Sequence, residues 1–468
     1  MTGVLCFAVL ATAQVPQVIP FPRTLDLLVV DSTYDGVWRL ADMNQDGDYN
    51  DPGEISSFYG DLLGAYPWTS PTAIVAATDG TVFVTDISTD TIYALRDGNG
   101  DGDANDPGEH RIFFDGSNVS GYAIPQAYGL TADALGRLFV AVNNATTPAG
   151  PDRILKLEDL NGDGDANDAG EAQDYYNLPG TTGVLAASIP TKVVVGPDGN
   201  LYYTEVGTTF TKGVWRLVDA NSNGNCNDAG EATLFWTPPF VTSPQYWGLA
   251  VDVAGNFWVT DHSTNEKVWR GRDANANGTI EPGEQTLFYQ TAGSSWWDVV
   301  LRFDGTVLLC DTDTPDKVTS LRDLNADGDA LDTGESFQAY DTSVASVAVA
   351  PRGASFLRAP LLDLAPAIVP IGQSTNVTVR ASRPGDLVFT AISAGLIPPV
   401  SLPPFGSLEV DPNIVGVGLG LANAATEFVV TIAVPNNPVA INTYAFQALC
   451  GDLFRLFLSN ASVLTVTP

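Results

Sequence analysis

Six stretches of the chain place oxygen-bearing side chains at one fixed spacing. DMNQDGDYNDPGE (42–54) returns as DGNGDGDANDPGE (97–109), DLNGDGDANDAGE (159–171), DANSNGNCNDAGE (219–231), DANANGTIEPGE (273–284) and DLNADGDALDTGE (323–335). Carboxylates or amides stand at positions 1, 3 and 5, glycine at 6, a further donor at 7 and glutamate at the end. Calcium takes six to eight oxygen ligands, and an EF-type loop supplies them from positions 1, 3, 5, 7, 9 and 12 around a turn at glycine 6. The fifth copy has that count, with Asp273, Asn275, Asn277, the Thr279 carbonyl, Glu281 and Glu284. The other five carry one extra residue before the final glutamate. Their candidate ligands are Asp42, Asn44, Asp46, Asp48, Asp51 and Glu54; then Asp97, Asn99, Asp101, Asp103, Asp106 and Glu109; then Asp159, Asn161, Asp163, Asp165, Asp168 and Glu171. Asp219, Asn221, Asn223, Asn225, Asp228 and Glu231 form the fourth set, and Asp323, Asn325, Asp327, Asp329, Asp332 and Glu335 the sixth. Uncompensated, so many like charges in thirteen residues repel, and no Lys or Arg lies inside any copy. About six Ca2+ ions are therefore expected. The fourth site should be the weakest, because amides stand at positions 5 and 7.

The charge of the whole chain follows from these loops. Across 468 residues, 55 acidic and 21 basic side chains give −34, and twenty-six of the acids lie in the six copies. Nucleic acid and anionic membrane need cationic patches and are poor partners for such a chain. Residues 1–13, MTGVLCFAVLATA, have an apolar stretch followed by a small-x-small pattern and read as a signal peptide without a basic start. Export suits weak calcium sites, which fill at the millimolar levels outside cells. The expected location is therefore secreted, extracellular or cell-surface. Apart from Cys6 in that leader, three cysteines remain (Cys226, Cys310, Cys450), too few and too scattered for a disulfide framework.

The elements that must position the loops are strands. A short apolar run precedes each copy (VWRL, IYAL, ILKL, VWRL, VWRG, VTSL), and an aromatic-bearing run follows (SSFY, RIFF, TLFW, TLFY). Further on come an apolar segment, a glycine turn such as Asp198-Gly199, and a strand ending near a carboxylate: TVFVTD, NLYYTE, NFWVTD, TVLLCD. Four short strands, A to D, thus recur every 50 to 62 residues with the acidic loop between C and D. Such a unit is a propeller blade, so the fold expected over 25–358 is an all-β, six-bladed β-propeller. LDLLVVD (25–31) serves as strand B of the first blade, SVAVA (346–350) as its strand A, and SFLR (355–358) remains as an extra strand-like piece.

If the strands alternate up and down, the D–A connections lie opposite the acidic loops. They are aromatic, with Tyr66 and Trp68, Tyr122 and Tyr128, Tyr246 and Trp247, Trp296 and Trp297. Trp68, Tyr128, Trp247, Trp296 and Trp297 are the candidate ligand platform. The B-strand carboxylates Asp31, Asp86, Glu205, Asp261 and Asp311 should share that face, as a sugar or peptide site or as caps on turns. Only His110 and His262 are present, and no nucleophile elbow, zinc cluster or phosphate loop occurs, so no catalytic residue or organic cofactor is assigned. The expected role is an extracellular calcium-binding structural or ligand-binding protein whose partner is a glycan, a peptide, matrix or itself. The alternative is a calcium-stabilised hydrolase, lactonase or lyase working in the channel.

The acidic loops resemble those of EF-hands, dockerins and thrombospondin type 3 repeats, with strands in place of flanking helices. The blade pattern is similar to that of NHL and SMP-30/gluconolactonase-type propellers; the latter hold a channel metal with acidic and amide groups, for which no residue-by-residue match exists here. After a linker at 359–370, alternating segments over 371–468 predict a small antiparallel β-sandwich. Its end, TYAFQALCGDLFRLFLSNASVLTV, resembles C-terminal modules of secreted multi-domain proteins of planctomycetes, which implies an extracellular accessory module.

Overall fold

A computed structural model describes residues 26–357 except 45, 61–67, 78–79, 99–100, 134, 144–151, 178–187, 208–210, 240–243, 253, 263–265 and 303–304; beyond 360 it describes chiefly the backbone of the strands. The expected leader 1–13, with Cys6, and residues Tyr66 and Asn99 lie outside the described residues.

Six four-stranded antiparallel sheets follow one another, each in the order A-B-C-D. Their A strands are Pro351–Phe356, Pro71–Ala76, Ala127–Ala132, Pro190–Val195, Tyr246–Val251 and Trp296–Leu301, for blades 1 to 6. Each A strand touches the A strands on both sides, and the last touches the first, so the ring is closed. In every blade all five residues of strand B are buried, from Leu27–Asp31 to Val307–Asp311. Packed on both faces by neighbouring blades, strand B has no solvent side, and its sequence is a continuous apolar run (LLVVD, LFVAV, VLLCD). Outer D strands have one wet face, and Ile55–Gly60 and Ala172–Asn177 carry exposed residues among buried ones.

The core lies between blades. Phe83, Ile92 and Phe113 of blade 2 pack with Leu130, Val140 and Leu155 of blade 3 in one cluster. Each such buried side chain contributes about 1.5–3 kcal/mol relative to exposure.

Blade 1 is assembled from both ends of the propeller segment. Leu27–Asp31 pairs with Gly36–Leu40 on one side and with Pro351–Phe356 on the other, Val29 facing Trp38 and Ala354. The closing strand therefore lies five residues beyond the expected SVAVA, and SFLR begins inside it rather than forming an extra strand. The apolar character of 346–350 has another cause. Val349 is wholly buried and Val347 packs beside it in the core between blades 6 and 1, while the Tyr340 hydroxyl donates to the carbonyls of both.

Beyond the propeller, the stretch expected as a linker carries the strands Leu361–Ala365 and Ile368–Pro370. The first pairs with Ser374–Arg380, which pairs with Glu427–Ala433. The second runs parallel to Arg455–Thr467, at one edge of a five-stranded sheet with Thr443–Asp452, Leu387–Ser393 and Ile414–Leu421. Leu396–Leu402 and Gly406–Val410 make a separate hairpin. Among the described residues no helix is long and apolar enough to cross a membrane.

Candidate functional site

All six A strands break register near their second residue, where each carries a bulge against strand B. A bulge frees a backbone N–H and re-aims a side chain. In three blades the penultimate residue of strand B, a threonine, satisfies that N–H: Thr85 Oγ1 accepts from Ala73 N (3.0 Å), Thr204 from Lys192 N (3.0 Å) and Thr260 from Gly248 N (2.8 Å). The next residue of strand B is the carboxylate. Asp31 accepts from the backbone N–H of Thr33, Tyr34 and Ala350, Glu205 from Ile189 and Gly207, and Asp311 from Ser295 and Asp313. Asp86 binds Thr69 and Ser88 in the same way, and Asp261 binds Gln245. All five are essentially inaccessible. They tie the D–A connection to the B–C turn and do not present charge to the mouth of the channel. Blade 3 ends its strand B in Val142 instead.

Bulge residues surround the channel mouth. Tyr128, Trp247, Trp297 and Arg352, from blades 3, 5, 6 and 1, line a pocket open to solvent. Lys192 and Asp298, one position deeper on blades 4 and 6, complete it together with Thr72 and Ala73 of blade 2. Tyr128 meets Trp247 edge-on at 5.4 Å, and Trp247 lies 4.8 Å from Trp297. Lys192 Nζ donates to Asp298 Oδ2 at 2.7 Å, across the front of blade 5. Glycine at 248 leaves room: a Cβ there would sit 2.9 Å from Val299 N and 2.8 Å from Thr260 Oγ1. Asp298 also accepts from the backbone N–H groups of Ala354 and Val299. At the rim, His262 Nε2 lies 3.0 Å from Ser295 Oγ, and the imidazole is 5.5 Å from Trp297. Burial pushes the Tyr128 phenol up from its ordinary value, a rise opposed by Arg352.

Of the five residues expected as a platform, three meet here. Trp68 and Trp296 do not: both are wholly buried, Trp68 against Tyr59 and Tyr93 and Trp296 against Tyr289, where they fill the wedge between blades. Trp297 is the bulge residue of its strand, and the bulge aims it at the mouth while Trp296 stays in the wedge. Tyr246 is buried as well, and Tyr122 stacks under Arg153 at the outer edge. Sequence reasoning missed Lys192, Asp298 and Arg352.

The acidic loops sit at the opposite end of the blades, in the C–D hairpins. In all six, the position-1 aspartate accepts from the N–H of the position-6 glycine, at 2.8 to 3.1 Å (Gly47, Gly102, Gly164, Gly224, Gly278, Gly328). The final glutamate folds back to accept from the N–H of position 2: Met43, Gly98, Leu160, Ala220, Ala274 or Leu324. Except in the fifth loop, that glutamate is nearly inaccessible, 1–8% exposed. The position-3 amides reach across the loop, Asn44 toward Asp46 and Asp51, Asn161 toward Asp163 and Asp168, Asn325 toward Asp327 and Asp332. In the second loop, ligand atoms of Asp101, Asp103 and Glu109 come within 4.8 Å of one another.

Each loop also bonds the blade before it. The position-8 N–H donates to a D-strand carbonyl of that blade: Tyr49 to Ala339, Ala104 to Phe58, Ala166 to Phe113, Cys226 to Tyr175, Ile280 to Phe235 and Ala330 to Phe288, at 2.7 or 2.8 Å. All six position-8 side chains are buried, which explains a buried free thiol at Cys226. In four loops the position-9 asparagine accepts the N–H two residues further along the same strand: Asn50 from Asp341, Asn105 from Gly60, Asn167 from Asp115 and Asn227 from Asn177.

No protein-family model matches the chain, and no curated protein matches it. Several solved bacterial propeller enzymes are similar in fold. Virginiamycin B lyase from Staphylococcus aureus is 15% identical over 76% of this chain and 90% of its own, with a TM-score of 0.43. A streptogramin B lyase is 16% identical over 72% and 88%, with a TM-score of 0.42. The PQQ-bound aldose sugar dehydrogenase from Streptomyces coelicolor is 11% identical over 69% and 90%, again at 0.42. At this distance the likeness is one of fold: an all-β, six-bladed propeller.

Proposed function

We propose that this chain is an exported, calcium-clamped propeller that works on a small organic molecule at its channel mouth. The carrying observation is convergence. Bulge residues from four blades and a buried ion pair from two strands meet around one pocket, with aromatic walls and a few oriented polar groups, as small-molecule sites do. Of the two uses of such a mouth, binding alone and a hydrolase, lactonase or lyase reaction, one observation favours the second. The His262–Ser295 contact puts a proton-transfer group within reach of the rim, beside Trp297. A surface or matrix role finds less support, since Trp68, Tyr246 and Trp296 are buried in the ring and Tyr128, Trp247 and Trp297 line this pocket.

The calcium reading rests on the loops. Their donors are all oxygens, which suits a hard cation. The reading is supported by the common fold of the six loops, each tied from position 1 to glycine 6 and from the last glutamate to position 2, and by the second loop, where ligand atoms of Asp101, Asp103 and Glu109 lie within 4.8 Å of one another. The C-terminal strands are read as a two-layer accessory module. Two measurements test the proposal. Metal analysis should find about six calcium ions per chain, one fewer in Glu171→Gln, and a chelator should lower the thermal midpoint by more than about 5 °C. A small-molecule library screened by tryptophan fluorescence should yield ligands whose signal disappears in Trp247→Ala. A metal-free protein indifferent to chelation would refute the first half, and hits unaffected by Trp247→Ala the second.

A further inference from the structure

Arg352 is a charged pocket residue whose side chain has no polar partner among the described residues. It stands at the bulge of the strand that closes the ring, with its guanidinium carbon 4.5 Å from the centre of the Trp297 ring. Among the described residues it makes no hydrogen bond and no ion pair, and its Nε is inaccessible and unpartnered. The pocket's carboxylate is Asp298, and that group is already committed: Lys192 Nζ and two backbone N–H groups occupy it. Lys192 and Asp298 therefore neutralise one another and Arg352 keeps its full charge. A chain of net charge −34 thus turns a positive, partly desolvated fork toward its channel mouth. Burial pulls the Arg352 guanidinium below its ordinary value without a carboxylate to restore it.

We propose that the mouth recognises a small ring-bearing carboxylate, with its anionic end on Arg352 and its ring against Trp247 and Tyr128. Stacking on Trp297 holds the guanidinium plane, and a fixed plane offers paired N–H donors that match a carboxylate bidentately. The ring's place follows from the walls, where the edge-to-face pair of Tyr128 and Trp247 presents apolar surface beside the fork. Free phosphate satisfies the same fork but has nothing to lay on the aromatic walls, so it should bind far more weakly. The inference rests on the reading of the mouth as a ligand site and adds the chemical class of the ligand.

The test uses the full chain with calcium present. Benzoate, cyclohexanecarboxylate, their neutral primary amides and inorganic phosphate are titrated by calorimetry into wild type, Arg352→Gln, Arg352→Lys and Trp247→Ala. The expected result has three parts: both carboxylates outbind their amides by tenfold or more, Arg352→Gln removes that difference, and Arg352→Lys keeps part of it. Unchanged thermal midpoints would show that the variants fold. Amides that bind as well as the acids, lost in Trp247→Ala and untouched by Arg352→Gln, would overturn the anion assignment and leave the mouth standing as a ligand site. Phosphate binding as tightly as benzoate would overturn the ring assignment. No binding of any acid or amide would overturn both.

Discussion

At the scale of single residues, the channel mouth sets two charges against desolvation. Asp298 and the Lys192 side chain are both buried, and each keeps the other tolerable. Removing one partner of a buried pair leaves an uncompensated charge, which costs several kcal/mol. Lys192→Met should therefore lose about 3 kcal/mol in denaturant unfolding, and Lys192→Met combined with Asp298→Asn should recover much of that; a double variant no better than the single would contradict the account. A second carboxylate behaves differently. Burial first, then Asp31, Asp311 and Asp313, push Asp316 up to about 6. A carboxyl raised on folding favours the protonated folded state, so its stabilising share is full below about pH 4 and lost as pH climbs through 6. Asp316→Asn should then raise stability at pH 7.5 and leave it unchanged near pH 4. The group is largely solvated, so the gain is discounted for screening to about 1 kcal/mol. Thermal midpoints across that range read it directly, and equal effects at both ends would be wrong for this mechanism.

At the scale of elements, each acidic loop is part of two blades. Its glutamate and aspartate fold it, while positions 8 and 9 bond the D strand of the blade before. Loops 5 and 6 lack the position-9 amide and have Glu281 and Leu331 there, and Leu331 is 49% exposed. Leu331→Asn should supply the missing acceptor to the Gln290 N–H and stabilise by about 0.5–1 kcal/mol, whereas Asn167→Ala should lose about 1 kcal/mol. Equal and near-zero effects would mean that the contact is incidental. Much of this was legible in the sequence: loop spacing, strand order and blade number follow from a repeat too regular for chance. The inter-blade bond was not, because position 8 varies from tyrosine to alanine to cysteine and donates only its backbone. Nor were the bulges, although the threonine before three of the five B-strand carboxylates (VTD, YTE, VTD) marks three of them. The mouth was half legible. Trp247 and Trp297 announce themselves by size, but Lys192, Asp298 and Arg352 become neighbours only once each A strand has its register. Placing the closing strand at 346–350 leaves Arg352 outside it.

At the scale of the whole molecule, the ring has no terminal blade. An open array of repeats unfolds from its ends and loses cooperativity with length. Here Leu27–Asp31 lies between Gly36–Leu40 and Pro351–Phe356, and loop 1 bonds blade 6 just as loop 2 bonds blade 1. Every blade thus has two neighbours and two sets of bonds to lose. Val29 is the middle residue of the strand both ends depend on, wholly buried and paired on both sides. Proline there removes a donor and fits neither ladder, so Val29→Pro should open the ring and cost at least about 3 kcal/mol. Seven of the nine tryptophans lie in blades 4 to 6, far along the chain from residue 29. Tryptophan fluorescence therefore reports mainly on those blades, while far-ultraviolet dichroism reports on all. If closure couples the ring, both signals fall together at a lower midpoint in Val29→Pro, as they do at the higher midpoint in the wild type. If blades hold independently, fluorescence keeps its wild-type midpoint while dichroism shows an early partial loss, and that separation would show that closure adds strands but no cooperativity.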